Sequence, residues 1–304
     1  MSTRRTEGTS DRPAPWQRPF CPSPACTVEA FGPGRLVGET FRMLGRIGGG
    51  AMSVVFRARD LRLDREVAIK VMRPDAMEVP TAPERFRAQA RAMARVRHPN
   101  VVAVEMVSEW LGFPYVVMEY VRGIPLDEWL ALREIRPPTL DEAFALVDRI
   151  CLGVEAVHAS GGSFHDLTAG DFLVGAGLRA VVADLGVSRT LSELRRDGRR
   201  LARDPATAAP ELALATPLGP DGPERADVYA TASLAYRVLV GRYPVEDARN
   251  AEAPRSPLVG ADLPEPYAQA LLSALAASPV ERTASVHELR LGLYAARKAA
   301  RRAA

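Results

Sequence analysis

The chain holds 304 residues, 47% hydrophobic and 25% charged, enough apolar material for one large domain or two lobes with real cores. A net charge of +3 is too small at this length to require a nucleic-acid partner, and no run approaches the roughly 18 uninterrupted apolar residues of a membrane-spanning helix. Three cysteines cannot build a disulfide framework and Met1 to Asp11 lack the apolar stretch of a secretory leader, so a reducing, cytoplasmic setting is expected.

Residues 1–38 carry Pro13, Pro15, Pro19, Pro22, Pro24 and Pro33 with scattered arginines and no apolar period, and read as a disordered tail. Within it Cys21-Pro-Ser-Pro-Ala-Cys26 has the spacing of half a zinc site, with no further cysteine or histidine nearby. From Phe41 the texture changes to short β-type runs at 41–47, 54–59, 67–72, 101–107 and 114–119. One helical pattern interrupts them over 83–97, with Phe86, Ala90 and Met93 on one face. After Gly123 the pattern is mostly helical. Phe144, Val147, Cys151, Val154 and His158 mark one face, followed by stretches at 228–240, 268–277 and 286–298, and strand-like runs at 172–174 and 180–183 break this half. The outline is α+β: a small antiparallel β lobe with one helix over 39–120, a large mainly helical lobe over 121–294, and a basic tail over 295–304. Arg297, Lys298, Arg301 and Arg302 in that tail could touch anionic lipid or nucleic acid, or simply be a frayed, solvated end.

Gly48-Gly49-Gly50-Ala51-Met52-Ser53-Val54-Val55 places small residues at a turn between two strands. Such a turn lets backbone come close to phosphates, though three glycines also make an ordinary hairpin. Fifteen residues beyond Val55, Lys70 closes Val67-Ala68-Ile69-Lys70 on a strand-like run. It could be a solvated edge lysine. However, of 40 basic residues only Lys70 and Lys298 are lysines, so a lysine in the body of the chain asks for a reason. An ammonium reaching the phosphates of a nucleotide supplies one.

The second half continues in a fixed order: Phe164-His165-Asp166-Leu167-Thr168-Ala169-Gly170-Asp171, Asp184-Leu185-Gly186, Ala209-Pro210-Glu211, Asp227 and Arg282. On these landmarks the chain, from about Phe41 to Leu293, resembles the eukaryotic-type serine/threonine protein kinases of bacteria. The resemblance implies a two-lobed protein-kinase-like fold with ATP and Mg²⁺ between the lobes. It implies that Ile47, Gly48, Gly49, Gly50, Ala51, Met52, Ser53 and Val55 cover the nucleotide and that Ala68 lines the adenine pocket. Lys70 would pair the α- and β-phosphates, Met118 would stand behind adenine, and Glu119 and Val121 would offer it backbone groups. Asp166 takes the place of the catalytic aspartate, Asp184 and Asp171 those of the metal ligands, and Glu211 with Arg282 that of a structural pair in the large lobe.

Several positions depart from the family pattern. The glutamate expected to face Lys70 from the small-lobe helix is Gln89, which can accept a hydrogen bond but brings no charge; Glu84 is the alternative in a shifted register. His165 replaces the arginine before the catalytic aspartate, Thr168 a lysine and Asp171 an asparagine, while Arg203-Asp204 stand for Gly-Thr. Six arginines from Arg189 to Arg203 select acidic partners or form a solvated loop, and Ser188, Thr190, Ser192 and Thr207 are candidate phosphosites. Two functions follow. One is an attenuated serine/threonine kinase acting on a protein substrate. The other is a pseudokinase, a nucleotide-dependent binding module that regulates a protein partner.

Overall fold

The computed structural model describes residues 30–50, 52–134, 137–164, 166–184, 204–213, 222–244 and 265–303. The small lobe is built from β1 (Leu36–Val37), β2 (Phe41–Gly49), β3 (Ser53–Asp60), β4 (Arg65–Met72), α1 (Pro74–Met77), α2 (Ala82–Ala94), β5 (Val104–Trp110) and β6 (Phe113–Glu119). Its strands form one antiparallel sheet in the order β1-β2-β3-β4-β6-β5. β4 and β6 are central and covered on both faces, which is why Val67–Met72 and Phe113–Met118 are buried almost without interruption. Alternation still sorts their side chains. Val67, Ile69 and Val71 join a cluster with Phe31, Phe56 and Tyr115, while Met72 on the opposite face packs with Phe86 and Ala90 of α2.

The large lobe comprises β7 (Gly123–Pro125), α3 (Leu126–Arg133), α4 (Leu140–Ala159), β8 (Phe172–Gly175), β9 (Ala180–Val182), α5 (Pro210–Ala213), α6 (Gly222–Val240), α7 (Glu265–Ala274) and α8 (Val286–Ala303). Thr139 caps α4 by accepting from the Glu142 N–H while Glu142 reaches back to the Thr139 N–H. The helical face expected on α4 is found: Phe144, Val147, Cys151 and Val154 are all buried in the main core. Among the described residues no helix is long and apolar enough to cross a membrane.

The lobes are joined by more than the chain. Val102 N–H donates to Val182 O and Val182 N–H to Asn100 O, both at 2.8 Å, and the Asn100 side chain donates to Ala180 O at 2.7 Å. Val101 and Val102 therefore dock on the large lobe instead of opening the strand expected from 101, which starts at Val104. Gly153 of α4 makes this approach possible, because a Cβ there would lie 2.7 Å from Asn100 O and 2.9 Å from Val182 Cγ2.

Both terminal boundaries differ from expectation. From Ala30 the assigned tail is part of the small lobe: Phe31 is fully buried against Phe56, Phe113 and Tyr115, and Leu36–Val37 pair with β2. Aromatic burial there outweighs the proline-rich local signal. The basic segment after 294 continues α8, with Ala296 buried, Arg297 stacked over Phe144, and Arg297 and Arg301 paired to Asp141 at the start of α4. Cys21 and Cys26 lie outside the described residues.

Candidate active site

The glycine turn joins β2 to β3, with Gly48 opposite Val55 and Gly49 opposite Val54. Gly49 is required by the fold: its φ is +150°, and a Cβ would sit 2.8 Å from Ser53 O. At Gly48 and Gly50 a Cβ would meet nothing within 4 Å, so the protein's own packing does not demand glycine at either position. Ser53 is buried and its carbonyl accepts the Gly50 N–H at 2.9 Å. Met52 differs from expectation, because its side chain is buried with Met72 and Phe86 and anchors the turn from beneath instead of facing a ligand. Ala51 lies outside the described residues.

Beneath the turn, Val55, Ala68, Met118 and Val121 belong to one apolar cluster, and Ile47, near the end of β2, is exposed. Met118 lies next to Ala68 across the β4–β6 pair. The Glu119 N–H donates to Ala103 O at 2.9 Å, so only its carbonyl can serve a ligand. The Glu119 carboxylate is held by Arg179 at 2.9 Å. Arg179 reaches across from the large lobe and also donates to Pro99 O.

Lys70 is buried in β4, and its ammonium donates to Asp184 Oδ2 at 2.8 Å, joining residues 114 positions apart. Gln89 lines the same cavity, together with Phe86, Met93 and Met118. Its side chain makes no hydrogen bond among the described residues, which corrects the expected pairing of Lys70 with Gln89. Two acceptors were open to the ammonium, and the carboxylate adds an ion–ion attraction that the neutral amide cannot offer.

Asp166 lies half-buried in the loop before β8 with its Oδ1 enclosed. That loop is fixed at both ends. The Phe164 N–H donates to Asp227 Oδ2 at 2.8 Å, and the same oxygen contacts His158 Nε2 at 2.9 Å, deep in the core. At the other end Asp171 Oδ2 accepts the Thr168 N–H at 2.8 Å and its hydroxyl at 3.1 Å, with Asp171 1% exposed. The Ala183 N–H donates to Asp171 O, bringing Asp184 beside this loop.

Among the described residues no three histidine, cysteine or acidic side chains converge as a metal cage. Asp184 and Asp171 supply two hard carboxylates, which suits Mg²⁺, an ion usually held by one or two carboxylates together with phosphate oxygens. Open space above Gly48 and Gly50, an apolar slot and a buried ammonium are likewise the donor set a nucleoside triphosphate needs.

Glu211 and Arg282 form a buried bidentate pair at 2.8 and 2.9 Å. Asp204 caps the turn before α5, its Oδ1 accepting the Ala206 N–H, and Thr207 is fully buried. His165, the arginines from Arg189 to Arg203 and the sites Ser188, Thr190 and Ser192 lie outside the described residues. Sequence reasoning singled out neither Arg179 nor the contacts of Asn100. Their signals were faint: one arginine among many, and one of the chain's two asparagines.

The model for the protein kinase domain matches residues 41–261. The chain belongs to the protein kinase family. Serine/threonine-protein kinase Pkn1 of Myxococcus xanthus is 31% identical over 297 residues, which cover 90% of this chain and 41% of that protein. Serine/threonine-protein kinase PknB of Mycobacterium tuberculosis is 33% identical over 205 residues, 65% of this chain and 32% of that one. This kinase domain also superposes on the crystal structure of the M. tuberculosis PknI kinase domain with a TM-score of 0.68 at 25% identity, covering 87% and 98% of the two chains. The likeness confirms the two-lobed fold of curled antiparallel sheet and helical lobe. The chain spans about a third of the length of several curated relatives it matches.

Proposed function

We propose that the chain is a serine/threonine protein kinase that binds ATP with Mg²⁺ between its lobes and transfers the γ-phosphate to protein hydroxyls at a reduced rate. The observation that carries this reading is the meeting of Lys70 and Asp184, 2.8 Å apart under the glycine turn and beside the loop bearing Asp166. Gly48 and Gly50 leave room for backbone to approach phosphates, and Ala68, Val55 and Met118 wall the adenine slot. Lys70 turns its ammonium to the α- and β-phosphates. Asp184 and Asp171 hold Mg²⁺, which when bound neutralises phosphate charge. Asp166 accepts the proton of the attacking serine or threonine hydroxyl as its oxygen bonds to the γ-phosphorus and the bond to the β–γ bridging oxygen breaks, releasing ADP.

The reduced rate follows from positions where charge is missing. Thr168 brings no cation to the γ-phosphate, and Gln89 brings no carboxylate to Lys70. Removal of one preorganised electrostatic contact typically lowers turnover on the order of 10²–10³-fold, against kinase rates of about 1–100 per second. The test is transfer of labelled γ-phosphate, with Mg²⁺, to the protein itself and to a generic protein substrate. Incorporation that disappears in both Asp166→Asn and Lys70→Ala is expected. Folded wild-type protein with no incorporation above those two variants overturns the reading.

A further inference from the structure

We propose that Gln89 makes Asp184 answer to two cations in turn, so that the metal and the nucleotide can each enter well only in the presence of the other. The inference rests on the nucleotide-binding reading above and concerns how that same site is regulated. Lys70 has an 11% exposed side chain, and the carboxylate it meets is Asp184, its own proposed metal ligand. The helix that could offer a second carboxylate presents Gln89 to the same cavity, among Phe86, Met93 and Val116, and the Gln89 side chain makes no hydrogen bond among the described residues. The ammonium and Mg²⁺ therefore compete for one acidic group.

Each single ligand meets a penalty. Mg²⁺ alone draws Asp184 from Lys70 and leaves an ammonium in an apolar enclosure without its counter-ion. A nucleotide alone draws Lys70 to its phosphates and leaves Asp184 facing like charge. With both present, Lys70 meets phosphate and Asp184 meets metal, and neither is stranded. A glutamate at position 89 would keep Lys70 neutralised throughout and loosen the linkage.

The chain's composition offers a direct readout, because Lys70 and Lys298 are its only lysines. Labelling with ¹³C,¹⁵N-lysine gives two side-chain signals, one of them Lys70. Binding of Mg²⁺, of β,γ-imido-ATP in EDTA, and of both together is measured by calorimetry for wild type, Gln89→Glu and Gln89→Ala. Lys70 is followed by NMR in the same titrations. In Gln89→Glu, Mg²⁺ alone is expected to bind about 10-fold tighter, and the factor by which Mg²⁺ tightens nucleotide binding to fall about 10-fold, within the usual range of coupling between sites. Gln89→Ala should keep the wild-type factor. An equal factor in wild type and Gln89→Glu, with binding intact, overturns the proposal and leaves the nucleotide reading standing. Folded wild-type protein that binds no β,γ-imido-ATP even with Mg²⁺ overturns both. If Gln89→Glu does not fold, Asp184→Asn decides: a shifted Lys70 signal supports the shared carboxylate, and an unmoved one overturns it.

Discussion

Glu211→Gln is expected to be among the more damaging single-atom exchanges in the large lobe. Arg282 is fully buried and Glu211 7% exposed, and their two hydrogen bonds run at 2.8 and 2.9 Å. The guanidinium also donates to Ala276 O at 3.0 Å and to Arg225 O at 2.6 Å, and lies 5.1 Å from the centre of the Tyr229 ring. Glutamine preserves the shape but leaves a buried cation without its counter-charge and turns an NH₂ group towards another donor. Breaking such a pair from one side costs about 3–5 kcal/mol, which at roughly 2–4 °C per kcal/mol lowers the melting temperature by about 6–20 °C. Thermal and urea unfolding followed by circular dichroism measures this, with an unchanged urea slope showing that the denatured state is the same. Arg282→Met should cost more, because the Ala276 and Arg225 carbonyls also lose a donor. A loss below about 1 kcal/mol for Glu211→Gln, the size typical of an exposed pair, would refute the reasoning.

Gly153→Ala should lower stability by about 1–3 kcal/mol through overpacking, since its Cβ would lie 2.7 Å from Asn100 O; a urea midpoint equal to wild type would show that the Asn100 loop yields freely. Arg297, followed by Arg301, holds the Asp141 carboxyl below its usual range. The stability it lends is therefore present above the ordinary carboxylate range and lost as pH falls through the lowered value, so hydrogen-exchange protection factors in the last turns of α8, taken relative to the intrinsic rate at each pH, should fall on acidification, but not in Asp141→Asn. Burial pushes the Cys151 thiol up and encloses it fully, so alkylation of the peptide carrying Cys151 should track global unfolding, and rapid labelling of native protein would contradict its packing.

Much of the fold was legible because its signals are local or periodic. The β-type run at 67–72, the glycine turn and the apolar face of α4 each need only a short window. The boundaries were not legible, because Phe31 and Arg297 draw their meaning from partners far along the chain: Phe31 stacks on Phe56, and Arg297 covers Phe144. The same holds inside the site. Motif order placed Lys70, Asp166 and Asp184 on the list of candidates, but which acid takes the lysine is a competition in space. A neutral amide loses it to a carboxylate 114 residues away.

The loop around Asp166 shows why departures from a family pattern cannot be multiplied one by one. Read along the chain, Thr168 and Asp171 are two separate losses, a missing cation and a missing amide. In the fold they are partners. The Asp171 carboxylate is almost wholly enclosed and needs donors, and Thr168 supplies two of them, a backbone N–H and a hydroxyl, to the same oxygen. A lysine at 168 would keep the backbone donor but not the hydroxyl. An asparagine at 171 would meet those donors with a weaker, uncharged acceptor. Each exchange therefore makes the other less costly, and groups that act as one unit contribute to turnover non-additively. Restoring both residues together is a different perturbation from the sum of the single reversions, and the charge of Asp171 is already part of what holds the loop in place.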